Sequence, residues 1–276
     1  YAEGELVVLF FPKGMTIRGD MLLTVESVMD ELSQATGLNY APNYTPPYPY
    51  DASDMLDTYY QPGVFASVNP EAEKISVMVA DLSGGFSPCA FLHAVVVDIT
   101  DMDDPRRLAL YHELAHVLYM RNGVDMGLTL DEGLATTLVD RIYRQKKIPD
   151  WTVSFYMESE EFDKSCIAKG ADGFSHCFSR SDDNYCYGYR FVTFLRETYS
   201  EDVLIKLVNA ATASHFDSSF GENQEADQLA DTEHMKQIIF SVTGEDVFDR
   251  FAQWHETEMH RIIKEYYTHM ESCPEM

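Results

Sequence analysis

The stretch from Leu108 to Ala135, LALYHELAHVLYMRNGVDMGLTLDEGLA, decides the reading of this chain. Its first half contains His112-Glu113-Leu114-Ala115-His116 on a segment with helical periodicity. Residues four apart share a helix face, so both imidazoles can reach one metal ion, and Glu113 can approach a water bound to that ion. A catalytic zinc takes three protein ligands and leaves its fourth position to water, so a third ligand must follow. Glu132 follows at the opening of the next helix, beyond a segment in which Asn122, Gly123 and Gly127 can reverse the chain. Thr129-Leu130-Asp131-Glu132 also fits a capping box, in which Glu132 would bond a backbone amide instead. A site shared by two helices needs a carboxylate here, and Asp131 is the only adjacent substitute.

Upstream, Glu5 to Phe11, Lys74 to Ala80 and Phe91 to Ile99 read as three strands. Leu22, Val25, Val28, Met29 and Leu32 recur at helical spacing before Gly37. Between Tyr40 and Pro62 the chain is rich in Pro and Tyr, which predicts a long loop. Asp104 and Pro105 predict the N-cap and first residue of the helix over 105–121. Downstream the pattern predicts helices over 130–145, 187–212, 233–242 and 245–270, with a polar loop over 150–186. The chain thus reads as an α/β subdomain over 1–121, ending in the His-Glu helix, and a helical subdomain over 122–276 that carries the third ligand.

The chain has 276 residues, with 20 Lys+Arg against 46 Asp+Glu, a net charge of −26. Such an excess repels phosphate backbones and anionic lipid, so nucleic acid is not an expected partner. No apolar run approaches the roughly 18 residues of a membrane helix, and no membrane insertion is expected. The chain opens on Tyr1 with neither Met nor a basic-then-apolar leader, the pattern of a mature form. Cys166, Cys177 and Cys186 cluster in the polar loop, which predicts one local disulfide and, with the acidity, an extracellular location. Asn43-Tyr44-Thr45 is a glycosylation sequon.

The HELAH helix followed by LDEGLA resembles the gluzincin metallopeptidases, whose two His and one Glu hold zinc. Metzincins do not fit, because Tyr119 and Asn122 stand where their Gly and third His would be. Tyr185-Cys186-Tyr187-Gly188 is similar to the Tyr-x-x-Gly segment of aminopeptidase-like members and, with Val242-Thr243-Gly244-Glu245, Phe248, Phe251 and Trp254, extends the likeness over about 75–265. The resemblance implies an α+β zincin-like fold: an N-terminal mixed sheet with helices, a mainly helical C-terminal half, and an active-site cleft between them. It implies one Zn2+ held by His112, His116 and Glu132, with Glu113 as general base and Tyr185 as oxyanion donor. It further implies that Ala94–Ile99 is the edge strand pairing with extended substrate. Where thermolysin-like members have an Asp one turn after the Glu ligand, this chain has Thr136, leaving Thr136 or Asp140 to support the ligands. The Gly-x-Met-Glu-Asn motif that binds a substrate's free amine is absent, which favours endopeptidase over aminopeptidase action. The implied activity is secreted, zinc-dependent hydrolysis of protein or peptide substrates. Two alternatives stand: a non-catalytic scaffold on the same fold, and a hydrolase of small peptides or other amides.

Overall fold

Ile75-Ser76-Val77-Met78-Val79-Ala80 and Ala94-Val95-Val96-Val97 are nearly unbroken apolar runs, the composition of strands covered on both faces. In a computed structural model, which describes residues 1–11, 14, 19–40, 74–83, 88–91, 93–104, 106–123, 126, 128–149, 170, 184–214 and 224–273, they form neighbouring parallel strands. The described strands are β1 (Ala2–Glu3), β2 (Val7–Phe10), β3 (Ile75–Ala80), β4 (Cys89–Phe91) and β5 (Ala94–Asp98), in one sheet of order β1-β2-β3-β5-β4. β2, β3 and β5 run parallel, while β1 and β4 are antiparallel to their neighbours. The sheet is mixed, and the described chain is α+β with mostly helical content.

Two sequence expectations change here. The single strand expected over Phe91 to Ile99 is split: Phe91 pairs with Ala94, His93 lies in the turn, and the chain folds back on itself. The connection has none of the Gly or Asn residues that mark tight hairpins, so nothing in the sequence announced the reversal. As a result β5 lies inside the sheet, and the edge on that side among the described residues is β4, not Ala94–Ile99. The helix expected from 105 begins later, and Asp104 instead ends a short helix, α2 (Ile99–Asp103). Pro105 lies outside the described residues. The helix carrying the two histidines is α3 (Leu108–Arg121), and its first amides are met by Asp101, whose carboxylate accepts from Ala109 N and Leu110 N at 3.0 Å each.

The chain divides into two compact units, Tyr1–Gly123 and Val124–Met276. In the first, α1 (Met21–Thr36) buries Val25, Val28, Met29 and Leu32, the residues that share its apolar stripe, and ends at Gly37 with φ of +75°. The left-handed backbone lets the Gly37 amide close on the Ser33 carbonyl at 2.8 Å. The second unit holds α4 (Leu128–Lys146), α5 (Asn184–Tyr199), α6 (Glu201–Ser214), α7 (Gln224–Thr243) and α8 (Phe248–Ser272). The helix expected over 187–212 is two, broken at Ser200, where φ is +79°. Its core is aromatic: Phe191 and Phe194 of α5 meet Phe251 of α8 at 5.1 and 5.3 Å between ring centroids. The expected loop over Tyr40–Pro62 falls outside the described residues except for Tyr40, and that over 150–186 does so for most of its length. Among the described residues no helix is long and apolar enough to cross a membrane.

Candidate metal centre

Helix α3 is pinned along one side. Leu110, Leu114, Val117 and Leu118 are buried in the apolar core of the first unit. The phenol of Tyr40 donates to the Leu114 carbonyl at 3.0 Å. The fully buried Arg121 donates to the Tyr40 carbonyl at 2.6 Å and lies 3.1 Å from His93 Nδ1. These contacts fix the helix rotation, leaving the four-residue stripe of His112 and His116 half-exposed.

The two imidazoles converge, with Nε2 atoms 3.1 Å apart and rings nearly perpendicular at 82°. Two nitrogens each bound at about 2.0–2.1 Å to a tetrahedral ion lie about 3.3 Å apart, so the pair stands close to the spacing a shared ion needs. Glu132 joins them: one ligand atom from each of His112, His116 and Glu132 lies within 4.8 Å of the others. Glu132 is buried at 6% exposure. Helix α4 begins at Leu128, one residue before Thr129, and Asp131 accepts the Met126 amide at 3.3 Å. Among the described residues, His112, His116 and Glu132 form a triad able to hold a metal ion.

Glu113 is 8% exposed and within electrostatic reach of the edge strand. Burial, with the Glu113 carboxylate adding to it, pushes the Cys89 thiol up to about 12. Sequence reasoning missed this neighbour, since a three-residue strand carries no alternation to identify it.

The supporting residues separate clearly. Asp140 is engaged, accepting both bonds from Arg144 Nε at 2.9 Å and one from the Tyr189 phenol at 3.2 Å. Thr136 is 5% exposed, and its buried hydroxyl has no hydrogen-bond partner among the described residues. Thr137, Thr193 and Thr243 instead donate to the carbonyl four residues back, at 2.7–2.8 Å. A partnerless buried hydroxyl one turn beyond Glu132 suits a site whose remaining groups arrive with the ion.

Tyr185 lies in the first turn of α5, and its side chain is outside the described part of the structure. Tyr187 and Tyr189 are core residues: Tyr187 packs edge-on to Phe251, and Tyr189 is tied to Asp140. His93 and His255 each face a buried arginine rather than a second ligand. No disulfide joins two described cysteines, and Cys166 and Cys177 lie outside the described residues. Comparison of the chain with known protein families, with curated proteins and with solved structures finds no match.

Proposed function

We propose that this protein is a secreted zinc peptidase of the gluzincin kind that cleaves within extended protein substrates. The observation that carries the reading is the convergence of His112, His116 and Glu132, with Glu113 next to the first of them on the same helix. Two imidazoles and one carboxylate are the donor set of many catalytic zinc sites, and three ligands leave the ion an open position. Zinc held there supplies Lewis acidity and lowers the pKa of water toward about 7.

The chain's own residues do the rest. Glu113 takes a proton from the attacking water onto its carboxylate and delivers it to the departing amine. Its place beside His112 on the same helix, next to the ligand set, favours that role. Tyr185 is assigned the oxyanion bond on the sequence resemblance. An extended substrate adds as a strand to the outer side of β4, where backbone groups fix its register without demanding a particular sequence. The extracellular setting rests on the −26 charge and the cysteine cluster. Against the scaffold alternative stands Glu113, since holding an ion requires no carboxylate at that position.

The test is casein cleavage by the wild type and Glu113→Gln, with zinc content measured on both. One zinc per chain in each protein is expected, with cleavage lower in the variant by about 10²–10⁴-fold. Zinc in the wild type without cleavage of casein or of a peptide library would contradict the peptidase reading.

A further inference from the structure

The opening of α4, which carries Glu132, has a neighbour with almost no room. Gly188 of α5 lies so close that a methyl group there would overlap the Thr129 carbonyl oxygen and sit 3.0 Å from Gly133 N and 3.1 Å from Gly133 Cα. A methyl on Gly133 would in turn overlap the Gly188 carbonyl and stand 2.9 Å from its Cα. The two helices therefore touch backbone to backbone at the first turn of α4. That turn is also the part of a helix least able to hold itself, since its leading amides have no partner within the helix.

Helix α5 cannot back away from this contact. On either side of Gly188, Tyr187 is packed against Phe251 at 5.5 Å, and Tyr189 donates to Asp140 at 3.2 Å. Two residues on, Arg190 is fully buried and lies 3.1 Å from His255 of α8. The opening of α4 is a helix terminus, and the first turn of a helix gives more readily than its interior. Any side chain at 188 is therefore relieved by moving Thr129 and the residues beside it.

We propose that Gly188 is a positioning residue of the metal centre: its missing side chain sets where the first turn of α4, and so the Glu132 carboxylate, comes to rest. The proposal rests on the metal reading above. It also gives a physical task to the glycine of the Tyr185-Cys186-Tyr187-Gly188 segment, independently of any role for Tyr185. Relieving the overlap requires a displacement of about 1 Å, whereas ligand distances must hold to about 0.2 Å and a working site to about 0.5 Å.

The experiment compares zinc affinity, by chelator competition, in the wild type, Gly188→Ala and Tyr189→Phe, with thermal unfolding of each metal-free protein. Tyr189→Phe is the control: it loosens the same helix pair through Asp140 without touching the Gly133–Gly188 contact. Gly188→Ala is expected to weaken zinc binding by roughly 10–100-fold, the range for residues that support ligands. It should also alter the visible spectrum of the cobalt(II) form, while Tyr189→Phe stays within about twofold of the wild type. If Gly188→Ala does not fold, Gly133→Ala places the methyl on the other side of the same contact and is read in its place. Wild-type affinity in the glycine variant, or an equal loss in Tyr189→Phe, overturns the proposal. A wild type that binds no zinc instead overturns the metal reading beneath it.

Discussion

Among the described residues, three pairs place a histidine ring nitrogen 3.1 Å from another basic side chain, and only one of them belongs to the triad. His112 faces His116, His93 faces Arg121, and His255 faces Arg190. A guanidinium has only donors, so the ring nitrogen beside it must accept, and the lone pair a metal would need is already engaged. Burial, reinforced by the arginine charge, holds His93 down to about 4 and His255 down to about 3. At His112 and His116 the third neighbour is the buried carboxylate of Glu132, which attracts a cation where an arginine repels it. Equal distances thus have opposite consequences, and the sign of the nearest charge decides which histidines can bind metal.

The comparison can be broken most forcefully at Glu132. Glu132→Gln keeps the shape and removes the charge, and is expected to weaken zinc binding by about a hundredfold, or roughly 2.7 kcal/mol. A competition titration that found wild-type affinity would show that the carboxylate does not distinguish this pair from the other two.

A second, smaller effect concerns His255. Its imidazole is held neutral in the folded chain with a pKa depressed to about 3, against an ordinary value of 6.5. The unfolded chain therefore binds the proton first as pH falls. Stability is intact above about pH 6.5 and declines progressively toward pH 3, with a loss of about 2 kcal/mol expected by pH 5 from this residue. Urea unfolding of metal-free wild type and His255→Gln at pH 7 and pH 5 checks the sign, because the variant should lose less stability on acidification.

Smaller still is the effect of Thr136→Val. Removing a buried hydroxyl that has no partner among the described residues is expected to stabilise the metal-free protein by about 1 kcal/mol. Thermal unfolding with and without zinc sharpens the contrast between the centre and the arginine-facing histidines. A gain confined to the metal-free form assigns the hydroxyl to the loaded centre, and an equal gain in both forms assigns it to neither.

Much of the candidate centre was legible in the sequence because its chemistry is periodic. The four-residue spacing of His112 and His116 is a property of any α-helix, and Gly123, at φ +73°, marks the turn that precedes α4. The runs of β3 and β5 were equally plain, since strands covered on both faces need continuous apolar sequence. The reversal at His93 was not legible, and with it went the identity of the edge strand. Nor could the sequence show Asp101 meeting the α3 amides from outside the helix, a contact made by the tertiary path of the chain. The break at Ser200 escaped for a related reason: serine seldom adopts a left-handed backbone, so the residue gave no warning of a helix end. Gly188 was visible as a glycine, but its reason lies in Thr129 and Gly133, more than fifty residues earlier.

The most direct test of the central claim is zinc stoichiometry by elemental analysis after dialysis, on the wild type, His116→Ala and His255→Ala. The account predicts one zinc per chain in the wild type and in His255→Ala, and essentially none in His116→Ala. Zinc retained by His116→Ala, or lost from a folded His255→Ala, would contradict it.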